Sequence, residues 1–263
     1  MNVALFRNTA VAAAFAGAAC LKKYRGRLKN VTKKGAIDLV TEADTASEAV
    51  IIDTIRRAHP HHAILSEEAG AMGTSDSTYQ WIVDPLDGTT NFAHGLGICG
   101  ISIALAVDGK IVCGIVLDPF GNELFAATAG GGATLNGRPI SVSPTPVLAD
   151  SLLVTGFPYN VADMLPAVLS RIGNCLKASM GVRRLGAAAL DLCYVAAGRF
   201  EGFWEEYLKP WDTAAGMLIA AEAGATVTEL SGARYHINAP SIVASNGRIH
   251  QELLDALSLE ETA

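Results

Sequence analysis

The residues best suited to chemistry are two aspartates that end an apolar run and lead into glycine and two threonines: Trp81-Ile82-Val83-Asp84-Pro85-Leu86-Asp87-Gly88-Thr89-Thr90-Asn91-Phe92. A hard divalent cation such as Mg²⁺ takes several oxygen ligands, usually a few carboxylates completed by water and substrate oxygens. Asp84 and Asp87 at a strand end can face one site, with Pro85 stiffening the turn between them and the Leu86 carbonyl exposed as a further oxygen donor. Gly88 allows close backbone approach, and the N–H groups that follow at a helix start suit phosphate oxygens. The plainer reading is a β-turn before a capped helix, for which Asp-Gly-Thr-Thr is ordinary. Two further segments weigh against it. Ser66-Glu67-Glu68-Ala69-Gly70 follows a strand-like run, and Lys209-Pro210-Trp211-Asp212 precedes a helical one. Carboxylates thus recur at the ends of elements, where ligands usually sit in such sheets.

Grouped carboxylates repel one another unless cations occupy the space between them. Phosphoryl transfer needs that arrangement, since it depends on charge neutralisation and in-line placement more than on covalent catalysis. Two close metals can serve the attacking and the leaving oxygen together.

The elements around these residues fall into two characters. Thr9 to Cys20 reads as an Ala-rich helix packed on the body, and Asp44 to His59 as an amphipathic one, with Ala46, Val50, Ile51 and Ile55 at helical spacing. Ala63 to Ser66 and Trp81 to Asp84 are short buried strands, and Glu68 to Tyr79 between them is a surface loop. Ile101 to Val107, Ile111 to Leu117 and Glu123 to Thr128 form an antiparallel meander, turned at Asp108-Gly109 and at Pro119 to Asn122. Gly130-Gly131-Gly132 and Asn136-Gly137 add hairpin signals. The glycine run lacks the Lys-Ser/Thr and following helix of a phosphate loop.

Later residues alternate: strands at Leu152 to Thr155, Gly202 to Glu205, Thr226 to Glu229 and Ile242 to Ala244 are interleaved with helices around Ala162 to Cys175, Ala187 to Ala197, Asp212 to Ala223 and Gly247 to Leu257. We therefore expect a mixed α+β and α/β chain, with an α+β half at 1–142 carrying the metal-binding motif and an α/β half at 143–263 closing the site.

Composition narrows the class. The chain has 263 residues, half of them hydrophobic, so a sizeable core can form. A net charge of -6 argues against a coat of nucleic acid. Five widely spaced cysteines without a CxxC pair read as reduced core thiols. The apolar run at Thr9 to Cys20 is too short to span a bilayer, and its basic residues follow rather than precede it. The expectation is a cytoplasmic protein that engages no membrane. Lys33 and Lys34 are candidates to attract an anionic substrate, Arg183-Arg184 to bind an anion or line a subunit interface, and His94 is the histidine nearest the motif. The six histidines show no metal-ligand spacing and read as surface or capping residues.

The segment Asp84 to Asn91 resembles the first signature of the inositol monophosphatase family, and Trp211-Asp212-Thr213-Ala214-Ala215-Gly216 its second. Asp38-Leu39-Val40-Thr41-Glu42-Ala43-Asp44 and Glu67-Glu68 match two further family blocks in order and spacing, so the likeness runs from about Val3 to Leu257. The resemblance implies a layered αβαβα sandwich of the inositol monophosphatase and fructose-bisphosphatase type, a site at the junction of the halves, and a homodimer. It implies hydrolysis of a small phosphate monoester with two or three Mg²⁺ ions, inhibited by lithium. Glu67, Asp84, the Leu86 carbonyl, Asp87 and Asp212 would bind metal. Glu67 and Thr89 would orient the attacking water, with Asp44 behind Thr89. Gly88, Thr89 and Thr90 would contact phosphate, and Ala188, Glu205 and Asp87 the sugar or cyclitol ring. In Phe92-Ala93-His94-Gly95-Leu96-Gly97 the chain lacks a proline that many relatives carry.

Relatives act on inositol monophosphate, fructose bisphosphate, histidinol phosphate or the 3′-phosphate of adenosine bisphosphate. Glu205 favours a polyol, hence myo-inositol monophosphate. A haloacid-dehalogenase-like phosphatase needs its two aspartates separated by one residue near the chain start, and two residues separate Asp84 from Asp87. A non-catalytic metal- or phosphate-binding regulator would lack one of Glu67, Asp87, Thr89 or Asp212, and all are present.

Overall fold

The computed structural model describes residues 3–28, 31–33, 39–74, 77–158 and 160–259. Small and apolar residues at helical spacing give helix α1 (Val3–Tyr24), whose buried face includes Phe6, Ala10, Ala13, Ala14, Ala18 and Leu21. After a two-stranded hairpin, β1 (Val31–Lys33) and β2 (Leu39–Thr41), helix α2 (Glu42–Ala58) starts at a capping box. The Thr41 side chain accepts from the Ala43 N–H, and Asp44 accepts from the Thr41 N–H. Both helices pack on one face of an eight-stranded sheet.

That sheet comprises β3 (Ala63–Ser66), β4 (Gly70–Met72), β5 (Tyr79–Asp87), β6 (Gly100–Val107), β7 (Lys110–Asp118), β8 (Glu123–Thr128), β9 (Ala133–Leu135) and β10 (Arg138–Pro139), in the order β10-β9-β8-β7-β6-β5-β3-β4. A short helix, α3 (Thr89–Ala93), leads from β5 towards β6. The pairing is antiparallel throughout except between β3 and β5, which run parallel. A second sheet is built from β11 (Leu152–Thr155), β12 (Gly181–Arg183), β13 (Gly202–Glu206), β14 (Thr226–Thr228) and β15 (Ser241–Ser245), in the order β12-β11-β13-β15-β14. Its first three strands are parallel and the rest antiparallel.

Helices α5 (Ala188–Ala196) and α6 (Pro210–Glu222) lie between the two sheets, and α4 (Val161–Ala178) and α7 (His250–Leu257) cover the outer face of the second. The layers are αβαβα, as the resemblance implies. Among the described residues, four clusters of buried apolar side chains fill the four gaps between layers. The gap between the first sheet and α5/α6 is rich in alanine, including Ala104, Ala127, Ala189, Ala214, Ala215 and Ala220. Such small side chains let helix backbones approach the sheet closely and suit the dense packing of protein interiors.

Several sequence expectations need correction. α1 has 22 residues, longer than the apolar run, and is long and apolar enough to cross a bilayer, yet its buried face belongs to the core between α1, α2 and the first sheet. The Glu68 to Tyr79 segment is not all loop, because Gly70–Met72 adds an edge strand beside β3. Hairpin strands β1 and β2 and the edge strand β12 carry only three residues each, too few for a periodicity to show. The second half is mixed rather than purely α/β. The glycine run does form a hairpin connection, and the N–H groups of Gly130 and Gly132 donate to the two carboxylate oxygens of Glu222 at 2.7 and 2.8 Å.

The histidines are also less superficial than their sequence context suggests. His59, which caps α2, is buried and stacks on His62 with ring centroids 4.6 Å apart; His62 stacks in turn on Tyr79 at 4.4 Å. Thr9 Oγ lies 3.1 Å from His59 Nε2, and Trp81 Nε1 donates to His62 Nδ1 at 3.1 Å. Burial lowers the pKa of both rings, and for His62 the neighbouring His59 and His61 add to it. An unfolded chain therefore takes up these protons first as pH falls, so this cluster stabilises the fold at neutral pH and loses its contribution below about pH 6.5. His62→Gln keeps an acceptor for Trp81 and removes one titrating ring. Its melting temperature should fall less steeply than wild type between about pH 7 and 5, as followed by circular dichroism; an equal slope would rule out His62 as a source of the acid sensitivity.

Candidate active site

The geometry begins with strand pairing. In the parallel β3–β5 pair Ser66 lies opposite Val83, so the residues that follow, Glu67 and Asp84, emerge side by side. The Glu67 N–H donates to the Val83 carbonyl at 3.2 Å and extends this pairing one step. On its other edge β5 pairs Asp84 with Ser102 and Asp87 with Gly100, so two intervening residues on one strand stand against one on the other. Side chains alternate along a strand, so residues three apart would face opposite ways; the extra residue of this bulge brings Asp84 and Asp87 to the same side. Pro85 has no N–H to lose from the ladder, which suits a bulge. Its carbonyl accepts from Ser47 Oγ at 3.0 Å, pinning the bulge to α2.

Backbone N–H groups hold each of the three aspartates. Leu86 donates to Asp84 Oδ1 at 2.9 Å, Ala189 to Asp87 Oδ2 at 2.8 Å, and Lys209 to Asp212 Oδ2 at 2.6 Å. The Asp87 contact sets a carboxylate at the start of α5, where the helix dipole favours it. Asp212 sits in the first turn of α6 behind Pro210, and the Trp211 carbonyl accepts from Ser102 Oγ at 2.9 Å, tying α6 to the strand beside Asp84.

These groups line one cleft of about 310 Å³. One wall carries Glu67, Asp84, Leu86 and Asp87 with Gly88, Thr89 and Thr90; the other carries Ala188, Glu205 and Asp212. All the residues singled out for metal and substrate thus line it, while Asp44 lies buried behind. Gly88 adopts φ 89°, the left-handed region where a side chain strains the backbone, and a Cβ there would lie 3.0 Å from the Ile98 carbonyl oxygen. Thr89 Oγ donates to Asp44 Oδ1 at 2.8 Å and lies 3.0 Å from the Leu86 carbonyl oxygen. The other Asp44 oxygen takes the N–H and hydroxyl of Thr41, so the α2 capping box also fixes the partner of Thr89.

Sequence reasoning missed Glu48. It is buried, and one of its oxygens accepts from Ser66 Oγ and from the N–H groups of Glu68 and Ala69, bracing the turn that carries Glu67. The signal was there in its spacing, four residues after Asp44 on the buried face of α2. Arg184 lines the cleft, whereas Arg183 is exposed with its guanidinium on the Val182 carbonyl. His94 is exposed at the end of α3 and does not line the cleft. Of Lys33 only the backbone in β1 is described, and Lys34 and Asp38 lie outside the described residues.

Electrostatically the cleft is strained. Burial, and then Glu67, Asp87 and Asp212, push the Asp84 carboxyl well above the usual range. Burial raises Asp87 to about 6 against the N–H groups of Ala189, Ala188 and Leu190, and raises Asp212 and Glu205 strongly as well. Behind the wall, Asp191 is buried with neither oxygen hydrogen-bonded, and burial favours its neutral form. The donor set fits a hard cation: carboxylate oxygens and a carbonyl, with no thiolate or imidazole among them. Among the described residues no three such side chains form a closed cage. Waters and substrate oxygens would therefore have to complete the shell of any cation held here, as they commonly do for Mg²⁺.

A five-layer αβαβα fold with a carboxylate-lined cleft between its sheets defines a phosphatase class, and a model of the inositol monophosphatase family matches residues 2–262. The chain belongs to that family, whose members are generally metal-dependent. It is 46% identical over 234 residues to the inositol-1-monophosphatase of Synechocystis, covering 89% of this chain and 82% of that protein. The extragenic suppressor protein suhB of Bartonella henselae superimposes with a TM-score of 0.92 at 40% identity, covering 97% of this chain and 98% of that one. Inositol monophosphatase II of Staphylococcus aureus, solved with inositol monophosphate bound, has a TM-score of 0.80 at 29% identity, covering 94% and 91%.

The raised carboxyl pKa values carry a sign. Without cations the folded protein holds protons that the unfolded chain has already lost above about pH 4, so these groups destabilise the fold increasingly as pH rises through about 6. A cation held among these carboxylates would relieve that penalty. The gain in melting temperature on adding about 5 mM Mg²⁺ to chelator-treated protein should therefore grow from pH 5 to pH 7.5 in differential scanning fluorimetry. A gain that is flat or shrinks with pH would mean that the cleft does not bind the cation.

Proposed function

We propose that this protein is a Mg²⁺-dependent phosphatase that hydrolyses a small polyol phosphate, with myo-inositol monophosphate as the best substrate. The observation that carries the reading is the placement of Glu205 across one cleft from Asp84, Asp87 and Gly88–Thr90. Glu67, Asp84, the Leu86 carbonyl, Asp87 and Asp212 would hold two or three Mg²⁺ ions. The bound ions supply charge neutralisation for the phosphate and lower the pKa of water. The chain's own groups then do the positioning. Phosphate lies against the backbone of Gly88, Thr89 and Thr90. Thr89 Oγ donates its hydrogen bond to Asp44, which leaves its lone pairs to accept one from the attacking water, and Glu67 on the same wall orients that water. The alcohol portion points towards Ala188, Asp87 and Glu205, where carboxylates accept hydrogen bonds from ring hydroxyls.

The same proposal includes inhibition by lithium, a cytoplasmic location and a homodimer. The location is supported by five free cysteines, four of them buried. A partner surface is supported by Leu165, Leu169 and Leu176 on α4 and Met180 beyond it, all exposed.

Two substitutions test the reading. Thr89→Val keeps shape and backbone N–H but removes the hydroxyl; kcat should fall at least tenfold with KM nearly unchanged, because the water contact matters chiefly in the transition state. A raised KM at constant kcat would confine Thr89 to binding. Glu205→Gln keeps size and loses charge. It should lower the ratio of kcat/KM for myo-inositol monophosphate over that for an aryl phosphate about tenfold, from about 1–2 kcal/mol per weakened hydrogen bond. Equal losses on both substrates would remove Glu205 from ring recognition. Fructose bisphosphate, histidinol phosphate and adenosine 3′,5′-bisphosphate, assayed by phosphate release beside inositol phosphate, complete the comparison.

A further inference from the structure

Glu205 is seated on a residue that has no side chain. β11 and β13 run parallel with Thr155 opposite Trp204, so the next residues along, Gly156 and Glu205, lie side by side at the cleft end of the second sheet. Thr155 Oγ donates to the Trp204 carbonyl at 2.8 Å and fixes the two strands at this level. A Cβ placed on Gly156 would lie 2.1 Å from one Glu205 carboxylate oxygen and 2.2 Å from both the other oxygen and Cδ. A point nearly equidistant from those three atoms lies over the face of the carboxylate. The carboxylate therefore turns its face, not its edge, towards the position a side chain at 156 would occupy. Gly156 is not among the residues with positive φ, so space, not backbone freedom, is what glycine provides here.

We infer that Gly156 is a positioning residue for substrate selection: the absence of a side chain at 156 seats the Glu205 carboxylate where it can read ring hydroxyls. The inference rests on the role given to Glu205 above. An ordinary Cβ contact begins at 3.4 Å, so alanine at 156 displaces the carboxylate by about 1.2 Å. The displaced atoms are the far end of a flexible side chain, which the fold can accommodate. A hydrogen bond of about 2.8 Å stretched by that amount reaches about 4 Å and is lost. Phosphate and metal contacts lie on other elements and keep their geometry.

The test is a double-mutant cycle on the Mg²⁺-loaded enzyme, using Gly156→Ala, Glu205→Ala and the double variant. Each is assayed with myo-inositol monophosphate and with p-nitrophenyl phosphate, which has no ring hydroxyls, and each is melted. Gly156→Ala should lower the inositol-to-aryl ratio of kcat/KM about 10- to 100-fold, as expected for an ångström-scale misplacement. Its melting temperature should stay within a few degrees of wild type. In the Glu205→Ala background the same substitution should leave the ratio unchanged, because the group it displaces is gone. A melting-temperature loss large enough to explain the activity change, or an equal fall in the ratio with Glu205 absent, overturns the inference while the loss in Glu205→Ala alone still stands. If Glu205→Ala itself leaves the ratio at the wild-type value, the underlying reading of Glu205 has failed, and this inference fails with it.

Discussion

Crowded negative charge governs this structure. Asp84 is buried among Glu67, Asp87 and Asp212, each of which makes its ionisation harder. Water would separate or screen such groups; a protein interior does neither, so the carboxylates must be held in place by something stronger than their repulsion. The molecule answers with backbone. A bulge turns two aspartates to one side, two helix starts supply amides, and Ser47 and Ser102 tie the bulge and the α6 start to their neighbours. One oxygen of each aspartate is thereby fixed, and rigid elements rather than mobile loops set where the charge sits.

The cleft divides its labour between the two sheets. In the proposed reading the groups common to any phosphate ester come from α3, β5 and the turn after β3, joined by Asp212 of α6, whereas Glu205 and Ala188, which would face the organic portion, belong to the second sheet and to α5. Substitutions that change the alcohol accepted can accumulate on the second sheet without touching the first. Folds that host several chemistries commonly separate invariant machinery from variable walls in this way.

Much of this was legible from the sequence, for identifiable reasons. The long strands β6, β7 and β8 and the helices α2, α5 and α6 show clear periodicity or turns, and their expected bounds fall within a few residues of those found. Three-residue strands such as β12 are defined by their neighbours rather than by their own pattern, so they escaped. Asp84 and Asp87 stood out as a motif, yet the bulge that turns them to one side is a property of pairing with β6 and is invisible in one strand. Glu48 was hidden differently. The buried stripe of α2 runs from Ile55 and Ile51 to Ser47, Glu48 and Asp44, changing from apolar to polar towards the site, and a search for hydrophobic spacing stops where that stripe turns polar. The face of a carboxylate resting on Gly156 has no counterpart in the sequence at all.

The central helical layer has a consequence for synthesis. α5 and α6 stand in the middle of the sandwich but come late in the chain, after the whole first sheet has been made. As the chain emerges, Ile82, Ala104, Val116 and Phe125 form an apolar sheet face whose cover has not yet been translated. Contacts of such long sequence separation form slowly, and exposed strands and apolar faces invite association with other chains in the interval. The nascent first half thus keeps that face uncovered until α5 and α6 are made. The cleft, which includes Asp212, is completed only after the sheet is covered, so a cation held there would bind a body already assembled.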